Sequence, residues 1–298
     1  MTDFSKYNKF NVKSPATIKQ QLDKLKSRGC IIADEKKAEE TLSFINYYRL
    51  AHYFEPFLLD KYHYKEGTTF EKIVQIYDFD RKLRFLILSV LEEIEIALRA
   101  VISNSHSMRY GALGYLNAEN FNTHHNHQYF LSKIERMIET NDDKAFVKHH
   151  MKKYKGAFPL WVMMEMFSFG NLIYFFYDMH SSDKKPIADN YYKAKLSHVE
   201  NWLGCISDLR NHCAHYNRLY ANKIGDIPAS DERWENTADS MLFSYLLAAK
   251  RLYLRKDRWN SNFVIPLSSL IESQKDILDI SLLGFPDDWE IKLVFYNY

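Results

Sequence analysis

The chain has 298 residues, 46% of them hydrophobic and 26% charged, enough to bury a sizeable core in one large domain or two small ones. Nine glycines and seven prolines are too few for a β-rich or disordered chain and predict long helices. A formal charge of +2 excludes a global polycation, and three cysteines, Cys30, Cys205 and Cys213, exclude a disulfide framework and suit a reducing cytoplasm.

The opening "MTDFSKYNKF" lacks the basic-then-apolar pattern of a secretion signal. "SPATIKQQLDKLKSRGC" predicts a helix capped by Ser14, with Pro15 in its first turn and Gly29 ending it. A second helix is predicted from Asp34 into Pro56, its aromatic end (Tyr47, Tyr48, Tyr53, Phe54, Phe57) forming core. "YKEGTTF" reads as a turn. From about Asp78 to Ser105, Leu83, Leu86, Ile87, Val90, Leu91, Ile94, Ala97, Leu98 and Val101 recur at three- and four-residue steps, the spacing of one helix face. Glu95 and Arg99, four apart at the margin of that face, are placed to pair.

A His-rich loop, "NTHHNHQ", and a basic amphipathic stretch ending "KHHMKKYKG" follow. "PLWVMMEMFSFGNLIYFFY" is the most apolar run. Glu165, Gly170 and Asn171 interrupt it, so it predicts two buried helices hinged near Gly170 rather than a membrane span. A helix from near Ser197 carries "SDLRNHCAHYNRLY", and another is predicted over 237–255. The fold class is therefore all-α: a multi-helix bundle with a small N-terminal helical subdomain. Residues 1–66, 67–225 and 226–298 are predicted as that subdomain, the core and a C-terminal extension.

"SDLRNHCAHYNRLY" gathers several chemically capable side chains within little more than two turns. At about 100° per residue from Leu196, Val199, Leu203 and Ile206 define a buried stripe, and Arg210 at about 320° falls inside it. An arginine there is costly without an anion or hydrogen-bonding partners. Asn211 and His215 lie side by side at about 60° and 100°, so Arg210 and His215 are about 140° apart on a straight helix. A capped helix end accounts for His212, Tyr216 and Arg218. A zinc site would use Cys205, His212, Cys213 and His215, which diverge from one helix and lack a second cysteine pair, although "HHNH" at 124–127 could contribute imidazoles; a Cys–His protease would need a base for Cys213. Arginine with histidine and no metal-binding carboxylates suits phosphodiester chemistry on RNA: histidine moves a proton at a 2′-hydroxyl or 5′-oxygen, and arginine holds the phosphate. Lys148, Lys152, Lys153, Lys155 and Arg218 are candidate RNA contacts, with a solvated helix face as the plain alternative.

"LRNHCAHYNRLY" resembles the Arg-x4-His signature of the HEPN superfamily of α-helical RNases and nucleotide-binding domains. The chain more specifically resembles the Abi family, the abortive-infection proteins of bacterial phage defence. "RGCIIADEKKAEETLSFINYYRLAHYFEPF", "YDFDRKLRFLILSVLEEIEIALRA" with its Glu-x3-Arg pair, and "PLWVMMEMFSFGNL" match that family's pattern in order, over about residues 15 to 220. The resemblance implies a HEPN fold and a toxin-like, metal-independent endoribonuclease that needs no cofactor. Its products would carry a 2′,3′-cyclic phosphate and a 5′-hydroxyl. Arg210 and His215 would be catalytic, Asn211 would orient His215 or the phosphate, and Glu95 and Arg99 would be supporting residues. One Arg/His set per chain implies a homodimer with a composite site, and the implied partners are RNA and an antitoxin or regulatory RNA, with no membrane. A non-catalytic RNA-binding regulator is the alternative the superfamily also allows.

Overall fold

The first helix begins at Thr17 rather than Ser14, because Thr17 and Gln20 satisfy each other: the Thr17 hydroxyl accepts from the Gln20 N–H at 3.2 Å and the Gln20 side chain accepts from the Thr17 N–H at 2.8 Å. A computed structural model describes residues 13–230 and 239–296 of the chain. The N-terminal "MTDFSKYNKF" and positions 237 and 238 of the predicted 237–255 helix lie outside them. The chain is all-α, and pairing of extended segments among the described residues is confined to isolated bridges.

Two compact units divide within one long helix, the first ending at Phe79 and the second beginning at Asp80. The first unit holds α1 (Ile18–Ser27), α2 (Glu35–Phe44), α3 (Tyr47–Ala51) and the start of α4 (Phe70–Tyr110). Gly29, at φ 91°, turns the chain after α1 where an L side chain would be strained. The predicted helix from Asp34 to Pro56 is broken in two. Asp34 caps it as expected, but Ile45 is extended and the Asn46 side chain accepts the Tyr48 N–H at 2.8 Å, starting a new helix. That break turns Tyr48 outward, 74% exposed, while Tyr53 and Phe54 are core as expected. Glu71, in the first turn of α4, accepts the Ala33 N–H at 3.0 Å.

In the second unit α4 continues to Tyr110, and it is longer at both ends than predicted: Phe70, Ile73 and Ile76 extend its buried face before Asp78, and His106 extends it after Ser105. Seven of the nine stripe residues from Leu83 to Val101 are buried, while Leu86 and Ala97, at the edge of the face, are only half-buried. Then come α5 (His127–Thr140), α6 (Ala145–Tyr154), α7 (Leu160–Met163), α8 (Phe169–Asp178), α9 (Ser181–Ile187), α10 (Leu196–Ala214), α11 (Leu242–Leu252), α12 (Lys256–Trp259), α13 (Ile265–Glu272) and α14 (Trp289–Leu293). The apolar run does form two helical pieces, but the hinge is Phe167–Ser168, two residues before Gly170. Ser168 is extended and its hydroxyl accepts the Asn171 N–H, so the cap sets the break rather than the glycine.

α10 packs between α8 and α11. The α8 contact is close: a Cβ on Gly204 would come 3.0 Å from the Tyr177 hydroxyl oxygen. Lys184, buried on α9, donates to Glu200 at 2.6 Å and to the Tyr177 carbonyl at 2.9 Å, which fixes the start of α10. Among the described residues no helix is long and apolar enough to cross a membrane.

Candidate functional site

α10 is buried more widely than its periodicity predicts, since Trp202, Cys205, Leu209 and Cys213 join Val199, Leu203 and Ile206 in the core. Arg210 is half-buried at the margin of this face, while Asn211 and His215 are exposed. The wider stripe comes from packing on two sides, by α8 and α11, where the angular reading assumed one.

The helix ends immediately before His215. The His215 N–H donates to the Asn211 carbonyl at 2.9 Å, the Tyr216 N–H to Cys213 at 3.2 Å and the Asn217 N–H to His212 at 2.9 Å. This paired closure needs a left-handed residue after the cap, usually glycine. Here it is Tyr216, at φ 60°. A tyrosine in that region costs on the order of 1–2 kcal/mol and persists only where its surroundings enforce it. His215, as the cap residue, has φ −91° and ψ 12° and has left the helical path, so the straight-helix angle of about 140° does not carry over to it.

What enforces the turn is a buried ion pair on α4. Arg84 donates to Asp80 at 2.6 Å, with side-chain exposures of 4% and 0%. The Asp80 carboxylate also accepts the Leu219 and Tyr220 N–H groups, both at 3.0 Å, and Arg84 donates to the Asn217 carbonyl at 3.2 Å. A buried pair whose carboxylate and guanidinium both also bond to backbone is an arrangement in which burial of charge is tolerated. It grips residues 217 to 220, the segment that leaves His215. Neither Asp80 nor Arg84 stood out in the sequence, although both lie on the buried face of α4 at four-residue spacing, a signal that could have found them.

Glu95 and Arg99 do pair. Arg99 also donates to the carbonyls of Met164 and, at 2.6 Å, Phe167, which closes the turn between α7 and α8. Lys148, Lys152, Lys153 and Lys155 are exposed on and just after α6, and Arg218 is half-buried in the gripped segment. Asn211 and His215 are thus brought together one turn apart, with Arg210 next to Asn211 in the helix. Among the described residues no hydrogen bond joins the side chains of Arg210 and His215.

Burial pushes the thiols of Cys205 and Cys213 up to about 12, so neither is a ready nucleophile or ligand at neutral pH. Among the described residues no three His, Cys, Asp or Glu side chains are grouped to hold a metal ion.

No curated protein and no solved structure matches the chain. Its sequence does match the pattern of a family described as Abi-like protein over residues 40–221, from α2 through α10 and the turn beyond it. That match spans more than half of the chain and includes the clamp on α4 and the end of α10, and on it the chain belongs to the Abi-like protein family.

Proposed function

We propose that this protein is a HEPN-type endoribonuclease of phage defence, cutting RNA without a metal and acting in the cytoplasm as a toxin held in check by an antitoxin or regulatory RNA. Membership of the Abi-like family is consistent with abortive infection. The observation that carries the chemistry is the end of α10: an exposed His215, on a turn locked by its own backbone and by Asp80 and Arg84, beside Asn211 and Arg210.

In the proposed reaction the ribose 2′-oxygen attacks the adjacent phosphorus and the bond to the 5′-oxygen breaks. The products are a 2′,3′-cyclic phosphate and a 5′-hydroxyl. One imidazole takes the 2′-hydroxyl proton and another gives a proton to the leaving oxygen. Arg210 balances the charge that develops on the phosphate, and Asn211 orients His215. A single set supplies a single His215, so base and acid together call for two copies and a composite groove. Residues 67–225 would form the catalytic core, with Glu95 and Arg99 supporting it through the turn they close.

Purified protein incubated with RNA in EDTA tests this. Cleavage to cyclic-phosphate ends is expected, falling by about a hundredfold or more in Arg210→Ala and His215→Ala. Cleavage that requires a metal, or survives both substitutions, rejects the mechanism. Light scattering at micromolar concentration should give a dimer.

A second reading, a non-catalytic RNA-binding regulator, is favoured by the exposed lysines at 148, 152, 153 and 155, which meet no carboxylate among the described residues. Tight, salt-sensitive binding of RNA that stays intact distinguishes it.

A further inference from the structure

A cavity of about 360 Å³ opens between α5 and α8, a size that holds a small ligand. Its walls are aromatic: Phe130, Phe167 and Phe175 form the floor and side, and Tyr129 and Tyr174 stand at the mouth, 58% and 65% exposed. Two tyrosines held so far into solvent beside an apolar cavity offer ring faces to something planar. The Lys133 ammonium is held 4.5 Å from the centre of the Tyr129 ring and, among the described residues, meets no carboxylate.

The one acid in the wall is already engaged. Asp178 Oδ2 is 2.8 Å from His125 Nδ1, His125 Nε2 is 3.1 Å from His127 Nδ1, and His127 Nε2 is 3.0 Å from the Leu116 carbonyl. The contact to His125 uses Oδ2 and leaves Oδ1 as an acceptor on the cavity-lining Asp178. The neighbouring cavity, beside α10, has the opposite character, with Glu200, Asp208 and Asp226 in its lining.

We propose that the α5–α8 cavity binds one unpaired nucleotide of RNA, its base stacked on the tyrosine and phenylalanine rings, an exocyclic amine on Asp178 and its phosphate on Lys133. The choice of RNA over a free nucleotide rests on the reading above; the nucleotide chemistry rests on the cavity. Uracil has no exocyclic amine, so the site favours adenine and cytosine over uracil.

Fluorescence anisotropy on the full chain carrying His215→Ala, with a labelled single-stranded oligo(A) or oligo(U), tests it. Oligo(A) should bind more tightly than oligo(U). Adding Tyr174→Ala should weaken oligo(A) by roughly tenfold with an unchanged melting temperature. Lys133→Gln should lower the slope of log affinity against log salt by about 0.7. AMP should compete where inorganic phosphate does not. Unchanged affinity in Tyr174→Ala, equal competition by phosphate, or equally tight duplex RNA overturns the proposal. AMP binding more tightly than the oligomer overturns RNA as the source. An intact substrate with the unmutated protein rejects cleavage while leaving the Tyr174→Ala result to decide the cavity, so the two failures are distinct.

Discussion

Two acid–arginine pairs lie on α4 with the same four-residue spacing and opposite situations. Asp80 and Arg84 are sealed in the core, and both also bond to the backbone that follows His215. Glu95 and Arg99 are 20% and 16% exposed, and here the arginine alone reaches out, to the turn joining α7 and α8. Spacing on a helix therefore says that two charges meet, while burial decides what the meeting is worth. The buried pair acts as a fixed clamp whose acid and base are both indispensable. The less deeply buried pair is an arginine clamp with an acid that steadies it.

That contrast predicts a ranking. Asp80→Ala removes the carboxylate from beside a buried guanidinium and from two backbone N–H groups, and should cost about 3–5 kcal/mol in chemical denaturation. Replacing both partners, Asp80→Leu with Arg84→Met, should cost less than the single change. An Asp80→Ala loss no larger than that of Glu95→Ala would break the comparison.

A third polar group on α4 sharpens it. His106 is 1% exposed among aromatic rings and neither ring nitrogen has a hydrogen-bond partner. Burial holds its pKa down to about 4, against the ordinary 6.5. As pH falls the unfolded chain takes the proton first, so this contribution to stability is fully present above about pH 6.5 and is lost as pH falls towards 4. The loss should approach about 3 kcal/mol, and His106→Leu should remove that acid limb from a pH series of melting curves.

Next comes Arg99→Ala, which leaves two carbonyls without their donor and should cost about 1.5–3 kcal/mol. Glu95→Ala should cost less than Arg99→Ala, because the guanidinium keeps its two carbonyl acceptors. Thermal melts of the two variants side by side test the asymmetry.

Much of the fold was legible because apolar periodicity is a direct record of burial. The stripe from Leu83 to Val101 shows it, and so does the Asp34 cap. Where the reading failed, a single polar side chain had overruled the pattern: Asn46 restarting a helix, Ser168 moving a hinge, Thr17 displacing Ser14. At the site, the Arg210–His215 spacing and the Asn211–His215 adjacency were visible. The Asp80–Arg84 clamp was not, because its partners are the N–H groups of Leu219 and Tyr220, and a backbone group has no letter in a sequence. The left-handed turn at Tyr216 was hidden for the related reason that glycine, its usual marker, is absent.

The clamp also sets an order of events during synthesis. Asp80 leaves the ribosome 139 residues ahead of Leu219. At about 5–20 residues per second that interval is on the order of 10 s, and the contact then closes a long loop against its entropy. A chain interrupted after Ala214 carries Arg210 but neither His215 nor the segment Asp80 grips. The histidine's final placement thus waits until Leu219 and Tyr220 have been made, and a chain interrupted before them does not yet hold an assembled site.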